Sequence, residues 1–403
     1  MKANEVKSNI DLERKVNEFL SRGVEDIFVL DDLRAKLLSG KKLRIKLGVD
    51  PTSPHIHIGR AVVLRKLRDL QKMGHKVVFI VGDFTAQIGD ASDKLSKRPM
   101  LSPEDVKRNM KTYKQQVGKI IDLKKAEFYF NSKWLKKLNF ADVCNLAETF
   151  SLQQMIERRN FSDRLERGEE ISLRELMYPL MQGFDSVAVK ADIELGGFDQ
   201  LFNLKAGRVL QRKFGQAEQN VITFKMLLGT DGRKMSSSWG NIIAIDDKPS
   251  DMYGKVMSLK DELIADYFLI ATDVSMAKVD EVRERLSNEE NPKVLKMELA
   301  KEIVGMFHGA GEAEKAEKAF VSVFSKREVP DDMPTIVVSN DYLLSEALLN
   351  DGIIKSKSDF VRLVREGAIT MIDPKEEKVL DIFERAKTGV YRIGKHRFVR
   401  IKQ

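Results

Sequence analysis

The sequence predicts an α/β protein in which a parallel sheet wrapped by helices is followed by an all-helical region and a small α+β module. Three observations predict it. From Leu43 to Ala244, short β-branched or apolar runs alternate with segments of helical period, the pattern of a parallel sheet with crossover helices. From Ser250 to Arg327 strand signals vanish, while Met252, Val256, Ile264, Tyr267, Phe268, Val279, Val282, Leu295, Leu299, Ile303 and Phe307 recur at helical spacing. A polar, proline-containing stretch from Lys326 to Pro334 then leads into Asp341–Gln403. The boundaries expected are 1–245, 246–326, a linker at 327–340, and 341–403. A chain of 403 residues fits such a division, since domains run to about 100–200 residues each.

Within the first region the strands expected are Leu43–Gly48, Lys76–Val81, Ala126–Phe130, Val187–Ile193 and Asn220–Leu228. Composition narrows the chemistry. An apolar fraction of 42% excludes a disordered chain, and no apolar run reaches the roughly 20 residues that span a bilayer. No membrane association is expected. Met1–Arg14 mixes Lys, Glu and Asp without an apolar signal core, so a cytoplasmic protein is expected. The lone Cys144 permits no internal disulfide and argues against a zinc site, and no Ser-His-Asp or Cys-His arrangement is evident. The formal charge of +8 leans toward a polyanionic partner.

Two segments carry phosphate chemistry. After the strand ending at Gly48 comes Val49-Asp50-Pro51-Thr52-Ser53-Pro54-His55-Ile56-His57-Ile58-Gly59-Arg60, followed by an amphipathic run to Met73. A strand feeding a helix N-terminus attracts anions, because unpaired backbone N–H groups and the helix dipole favour negative charge there. Gly59 allows close approach, and Thr52 and His57 can donate hydrogen bonds. Far downstream, Gly229-Thr230-Asp231-Gly232-Arg233-Lys234-Met235-Ser236-Ser237-Ser238 follows a second strand. Its glycines, adjacent cations and hydroxyls suit a clamp that closes on phosphates. Together, His57-Ile58-Gly59 and Lys234-Met235-Ser236 resemble the paired HIGH and KMSKS signatures of class I aminoacyl-tRNA synthetases.

Between them lie Tyr178-Pro179-Leu180-Met181-Gln182-Gly183-Phe184-Asp185 and Gly196-Gly197-Phe198-Asp199-Gln200. On a helix, Tyr178, Gln182 and Asp185 share one face, which offers a phenol, an amide and a carboxylate to one small ligand. This pattern resembles the amino-acid pocket of the tyrosyl-tRNA synthetases, and the resemblance extends over nearly the whole chain. It implies a Rossmann-like catalytic domain for ATP and tyrosine, a helical anticodon-side domain, and two-step chemistry: tyrosine activation by ATP, then transfer to tRNA(Tyr). It also implies a homodimer, and Trp134–Ile156, rich in Leu, Phe and Met, is the candidate interface.

The resemblance assigns roles residue by residue. Thr52 and His57 address the phosphates, while Lys94, Arg98 and Lys234 meet the developing pyrophosphate charge. Gly48, Asp50, Gly59, Arg60, Asp199, Gln200, Met235, Ser236 and Ser237 are expected around the nucleotide. Lys46, Thr85, Asp90, Tyr178, Gln182 and Asp185 are expected around tyrosine, with Asp185 accepting the phenolic hydroxyl. Mg2+ would accompany ATP without a dedicated protein metal site. Some positions depart from the family pattern. Arg60 stands for the second HIGH histidine, Ser237 for the second KMSKS lysine, Lys46 for a common tyrosine, Phe198 for a threonine or serine and Ala91 for a proline.

The C-terminal stretch Gly352–Met371 resembles the RNA-binding module named after the fourth small-subunit ribosomal protein. Lys355, Lys357, Arg362 and Arg365 are expected on phosphates, which position RNA without reading its sequence. Residues 385–403 hold seven basic and no acidic residues, among them Arg392, Lys395 and Arg397, an electrostatic footprint for nucleic acid. Lys94–Lys125 carries ten basic residues against three acids and suggests an acceptor-stem path. Two other readings compete: a nucleotidyltransferase of the same superfamily, and a non-catalytic RNA-binding paralogue.

Overall fold

The computed structural model describes the backbone of residues 2–90, 100–325, 333–339, 341–373, 377–379, 381–394 and 397–403. These fall into two compact units: Met1–Lys248 with Lys255–Phe307, and Pro249–Gly254 with His308–Gln403.

The first unit is built on six strands: β1 (Val24–Phe28), β2 (Arg44–Val49), β3 (Lys76–Val81), β4 (Glu127–Phe130), β5 (Ile193–Gly197) and β6 (Asn220–Phe224). Their spatial order is β1-β6-β5-β2-β3-β4, and every neighbour pair is parallel except β1 with β6. Val77–Val81 of β3 are at most 1% exposed, as expected of a strand covered on both faces. The chain leaves β2 toward β3 on one side and returns through β5 on the other. Crossover loops therefore diverge above the C-terminal ends of β2 and β5, which opens a crevice there.

Two elements differ from expectation. The strand placed at Val187–Ile193 begins at Ile193, because Val187 and Val189 close the long helix Leu173–Val189. Alternating valines satisfy either period over so short a run. The left-handed Lys190 (φ 51) ends the helix, and the Asp192 carboxylate then accepts the Arg44 backbone N–H at 2.7 Å, setting the register of the next strand. The sequence reading also lacks β1, whose five residues Val-Glu-Asp-Ile-Phe carry two acids and form an antiparallel edge.

In the same unit, Arg22 donates to the carbonyls of Leu269 (2.8 Å), Thr272 (3.0 Å) and Val274 (2.6 Å), and Arg65 donates to that of Ile270 (3.0 Å). The end of the Tyr267–Ala271 π-turn is thus satisfied by two arginines from the sheet domain.

The second unit contains a five-stranded sheet in the order β7-β11-β10-β8-β9, where β7 is Thr335–Val337, β8 Ile369–Asp373, β9 Glu377–Lys378, β10 Gly389–Ile393 and β11 Arg397–Lys402. Its core gathers Phe360, Leu363, Val364, Tyr391, Ile393 and Val399. Ser356 caps the helix Lys357–Arg365 by accepting the Asp359 N–H at 3.1 Å.

The helix Leu173–Val189 lies close against the helix Leu201–Lys213, and Gly183 permits the approach. A Cβ there would meet Leu210 Cδ1 at 2.8 Å and the Ala206 carbonyl carbon at 3.0 Å. Gly183→Ala should therefore lower unfolding free energy by about 1–3 kcal/mol through overpacking. Denaturant titration would show this as a lower midpoint at unchanged slope.

Candidate active site

Both signature segments reach the crevice and pair with each other. Ile58 N–H donates to Ile243 O at 2.8 Å, and Ile245 N–H donates to Ile56 O at 2.9 Å. The first segment is thereby tied to the strand-like run that follows the second. His55 Nδ1 lies 2.9 Å from an Asp246 carboxylate oxygen and Ser237 Oγ donates to Ser53 Oγ at 3.2 Å, so side chains reinforce the pairing.

His57 caps the helix Ile58–Lys72, its Nδ1 accepting the Arg60 N–H at 3.3 Å. That bond leaves the proton on Nε2, the nitrogen free to donate. Burial pushes the His57 pKa down to about 3, and the cations of Arg60 and Lys234 push the same way. The ring is a neutral donor at physiological pH. Arg60 Nη2 donates to Thr52 Oγ1 and Nη1 to Tyr113 Oη, each at 3.0 Å, which holds the guanidinium beside the Asp50–Thr52 turn. A Cβ on Gly59 would meet His57 Nδ1 at 3.0 Å and Met235 Sδ at 3.4 Å, so the second signature lies over the start of this helix. A Cβ on Gly48 would meet nothing within 4 Å, consistent with an open cleft floor.

The signature loop is organised by a residue that the motif does not include. Asn241 Nδ2 donates to Asp231 Oδ1 (2.8 Å) and to Lys234 O (3.0 Å), and its Oδ1 accepts the Ser236 N–H at 2.8 Å. Gly232 takes φ 82 at the loop tip, a conformation that favours glycine. Lys234 Nζ lies 3.0 Å from Asp199 Oδ2, joining the loop to the Gly-Gly-Phe-Asp-Gln turn after β5.

The second half of the site faces the helix Leu173–Val189. Tyr178 Oη donates to Asp50 Oδ2 at 2.8 Å, and Thr85 Oγ1 donates to Asp50 Oδ1 at 2.7 Å. Burial and the Asp50 charge hold the Tyr178 phenol well above its usual pKa, so it remains a donor. Gln200 Nε2 donates to Asp90 Oδ2 at 2.8 Å. Asp185 is 3% exposed and receives Trp134 Nε1 on Oδ1 at 2.7 Å and Asn131 Nδ2 on Oδ2 at 3.3 Å. Burial raises its pKa to about 7, with Lys46 opposing. Each carboxylate oxygen keeps acceptor capacity for a ligand hydroxyl.

Lys46 is fully buried, and its ammonium is engaged by Glu194 at 2.8 Å. Sequence reading gives Asn131 no role and places Trp134 in the interface stretch, yet both donate to the Asp185 carboxylate. Their position just past β4, at the carboxyl end of the sheet, was the available signal. In the same stretch Phe140 is 83% and Leu152 62% exposed.

Lys94, Arg98 and Ala91 fall outside the described residues, as does Lys395. In the second unit Lys355, Lys357, Arg362, Arg365 and Arg397 are exposed and Arg392 is half-buried. Lys357 pairs with Glu346 at 3.0 Å, and Arg362 pairs with Asp359 at 2.7 Å and Glu366 at 2.9 Å. Arg397 donates to Ile353 O. Among the described residues, no group of three or more His, Cys, Asp or Glu side chains is placed to hold a metal ion.

A family model described as "tRNA synthetases class I (W and Y)" matches residues 38–325. A tyrosine–tRNA ligase of Thermotoga maritima is 45% identical over 386 residues, covering 95% of this chain and 96% of its own. One from Carboxydothermus hydrogenoformans is 43% identical over 404 residues, covering 97% and 98%. The fold resembles the Archaeoglobus fulgidus tyrosyl-tRNA synthetase solved with L-tyrosine (TM-score 0.61, 23% identity, 76% of this chain and 100% of that one). It also resembles a truncated Aspergillus nidulans mitochondrial tyrosyl-tRNA synthetase (TM-score 0.63, 22% identity, 79% and 99%).

The His57 geometry has a direct spectroscopic consequence. Its folded pKa lies below the ordinary value, so protonation sets in only as pH falls toward about 3. Nitrogen-detected NMR of the imidazole should show a neutral ring protonated on Nε2 from about pH 5 to 8. Arg60→Ala should move its titration upward, since one repelling cation is removed.

Proposed function

The chain belongs to the bacterial-type tyrosyl-tRNA synthetases and is a tyrosine–tRNA ligase, and from that premise we propose how its residues divide the work. ATP, tyrosine and tRNA are its substrates. In the first step a tyrosine carboxylate oxygen attacks the α-phosphorus of ATP in line. The bond to the β-phosphate oxygen breaks, and pyrophosphate leaves. In the second step a hydroxyl of the terminal ribose of tRNA(Tyr) attacks the activated carbonyl. AMP leaves with the bonding pair, and the hydroxyl proton passes to solvent or phosphate.

Neither step needs a protein nucleophile, so orientation and charge stabilisation carry the reaction. Asp185 accepts the tyrosine phenol, with Trp134 and Asn131 fixing its two oxygens. Tyr178, Gln182, Thr85 and Asp90 bound the α-ammonium side. Neutral His57 donates through Nε2 to phosphate oxygens, with Thr52 beside it. Lys234, Arg60, and Lys94 and Arg98 meet the charge that builds on pyrophosphate. Asp199 and Gln200 address the ribose and the substrate carboxylate, with Asp50, Gly48, Gly59, Met235, Ser236 and Ser237 shaping the nucleotide site. Mg2+ accompanying ATP would add charge neutralisation at the phosphates, beside Lys234 and Arg60.

The observation that supports this reading is a set of contacts at the carboxyl ends of the strands: Lys234 pairs with Asp199 at 3.0 Å after β5, and Asn131 donates both to the buried Asp185 and to Thr85, which donates to Asp50 after β2. We further propose that 246–326 forms the anticodon-side domain and 341–403 the RNA module. The exposed Phe140 and Leu152 support a homodimer interface in Trp134–Ile156. Cytoplasmic action follows from the substrates; no described helix is long and apolar enough to cross a membrane. The near full-length match to tyrosine–tRNA ligases sets aside the nucleotidyltransferase alternative.

The test is tyrosine-dependent ATP–pyrophosphate exchange, and its absence from folded protein would refute the assignment. Lys234→Ala should slow activation by about 100- to 1,000-fold with tyrosine affinity nearly unchanged, as for a contact made in the transition state. Replacing Lys355, Lys357 and Arg365 together by Ala should weaken tRNA charging and flatten its salt dependence by about two to three units of log–log slope. Exchange should be spared; equal loss of both activities would contradict the modular division.

A further inference from the structure

Beneath the Asp185 carboxyl lies a buried polar cluster that the steps above leave unused. Lys46 on β2 and Glu194 on β5 sit opposite each other across the parallel strands. Lys46 Nζ donates to Glu194 Oε1, to the Gln182 carbonyl oxygen and to Ser186 Oγ, each at 2.8 Å. An ammonium has three hydrogens, and all three are used, so Lys46 has none left for a bound ligand. Glu194 is held as tightly. It accepts Gln182 Nε2 at 3.3 Å, Ser186 Oγ at 3.0 Å and Gln219 Nε2 at 2.5 Å.

The two residues of the helix that Lys46 grips, Gln182 and Ser186, bracket Asp185 in sequence. Such a cluster is a poor device for stability alone, since a buried ion pair is often matched or bettered by apolar residues of similar volume. It is well suited to electrostatics, because a cation in a low-dielectric interior acts across several ångströms. We propose that Lys46 and Glu194 form a positioning pair for Asp185: they hold its helical turn against β2 and supply the buried positive charge that keeps Asp185 an acceptor for the tyrosine phenol. Lys46 is thereby a determinant of tyrosine over phenylalanine. This rests on the reading of Asp185 as the hydroxyl acceptor.

The groups that face Asp185 fix the sign of the effect. Lys46 comes from β2, Glu194 from β5, Asn131 and Trp134 from the segment after β4, and Tyr178 from the same helix, with Asp50 and Asp90 behind Tyr178. Among these charges Lys46 has the largest effect on Asp185 and favours the carboxylate, while Glu194 opposes it more weakly. Removing the pair therefore moves Asp185 ionisation to higher pH, and tyrosine capture follows it.

The experiment compares Lys46→Met/Glu194→Gln, which removes both charges and leaves neither orphaned, with wild type and Asp185→Asn. Tyrosine and phenylalanine kinetics in pyrophosphate exchange are measured from about pH 6 to 9, a range that brackets the Asp185 transition. At pH 7 the double variant should raise the tyrosine KM about fivefold, the fall in ionised fraction when a pKa near 7 climbs by about one unit. The KM should recover toward pH 9, kcat should stay within about threefold, and the phenylalanine KM should hold, so discrimination drops by the same factor.

A folded double variant whose tyrosine pH profile coincides with wild type would overturn the proposal. If that happens while Asp185→Asn abolishes discrimination, the pair alone fails; if Asp185→Asn retains discrimination, the pocket reading itself fails. Should the double variant not fold, Ser186→Ala keeps both charges and loosens the grip. It should raise the tyrosine KM by about threefold, as expected for one lost buried hydrogen bond, and an unchanged value would equally overturn the proposal.

Discussion

Two backbone hydrogen bonds between Ile56–Ile58 and Ile243–Ile245 are the constraint on which the rest of the site depends. They join segments from distant parts of the chain, and each segment carries half of the residues proposed to meet the phosphates. His57 and Arg60 belong to the first. Lys234 and Ser237 belong to the loop that leads, through Asn241, into the run pinned to the first segment. Backbone bonds are suited to this, because they fix register without occupying the side chains needed for chemistry.

The parallel sheet explains where this happens. Strand order reverses between β2 and β5, so the loops leaving their C-terminal ends separate and leave room for a ligand. Asp50 follows β2 and Asp199 follows β5, so each lies on one wall. The helix Leu173–Val189 carries Tyr178, Gln182 and Asp185, the proposed tyrosine contacts, and Gly183 lets it pack closely against the neighbouring helix.

Burial does much of the electrostatic work. One low-dielectric environment pushes His57 toward the neutral ring, Tyr178 toward the neutral phenol and Asp185 up to about 7. The direction differs because desolvation penalises whichever form is charged. The outcome is two donors held neutral, His57 and Tyr178, and one acceptor, Asp185, whose ionisation falls near neutral pH and so depends on the charges around it.

The sequence by itself determined the architecture of alternating strands and helices, the two signature segments, the Tyr178–Gln182–Asp185 spacing on one helix and the concentration of positive charge in residues 385–403. Each is a local pattern, carried by periodicity, turn residues or charge within a short window. Only the tertiary structure decided which residues complete the site. Asn131 and Trp134 follow β4, far in sequence from the Asp185 they serve, and Asn241 lies beyond the motif it organises. Lys46 reads as a residue facing substrate, yet Glu194 directly across the sheet claims its ammonium. The edge strand β1 and the true start of β5 were likewise settled by pairing partners. The physical reason is common to all of these: a hydrogen bond or ion pair between distant segments depends on register and burial, and neither quantity is written in the local spacing of residues.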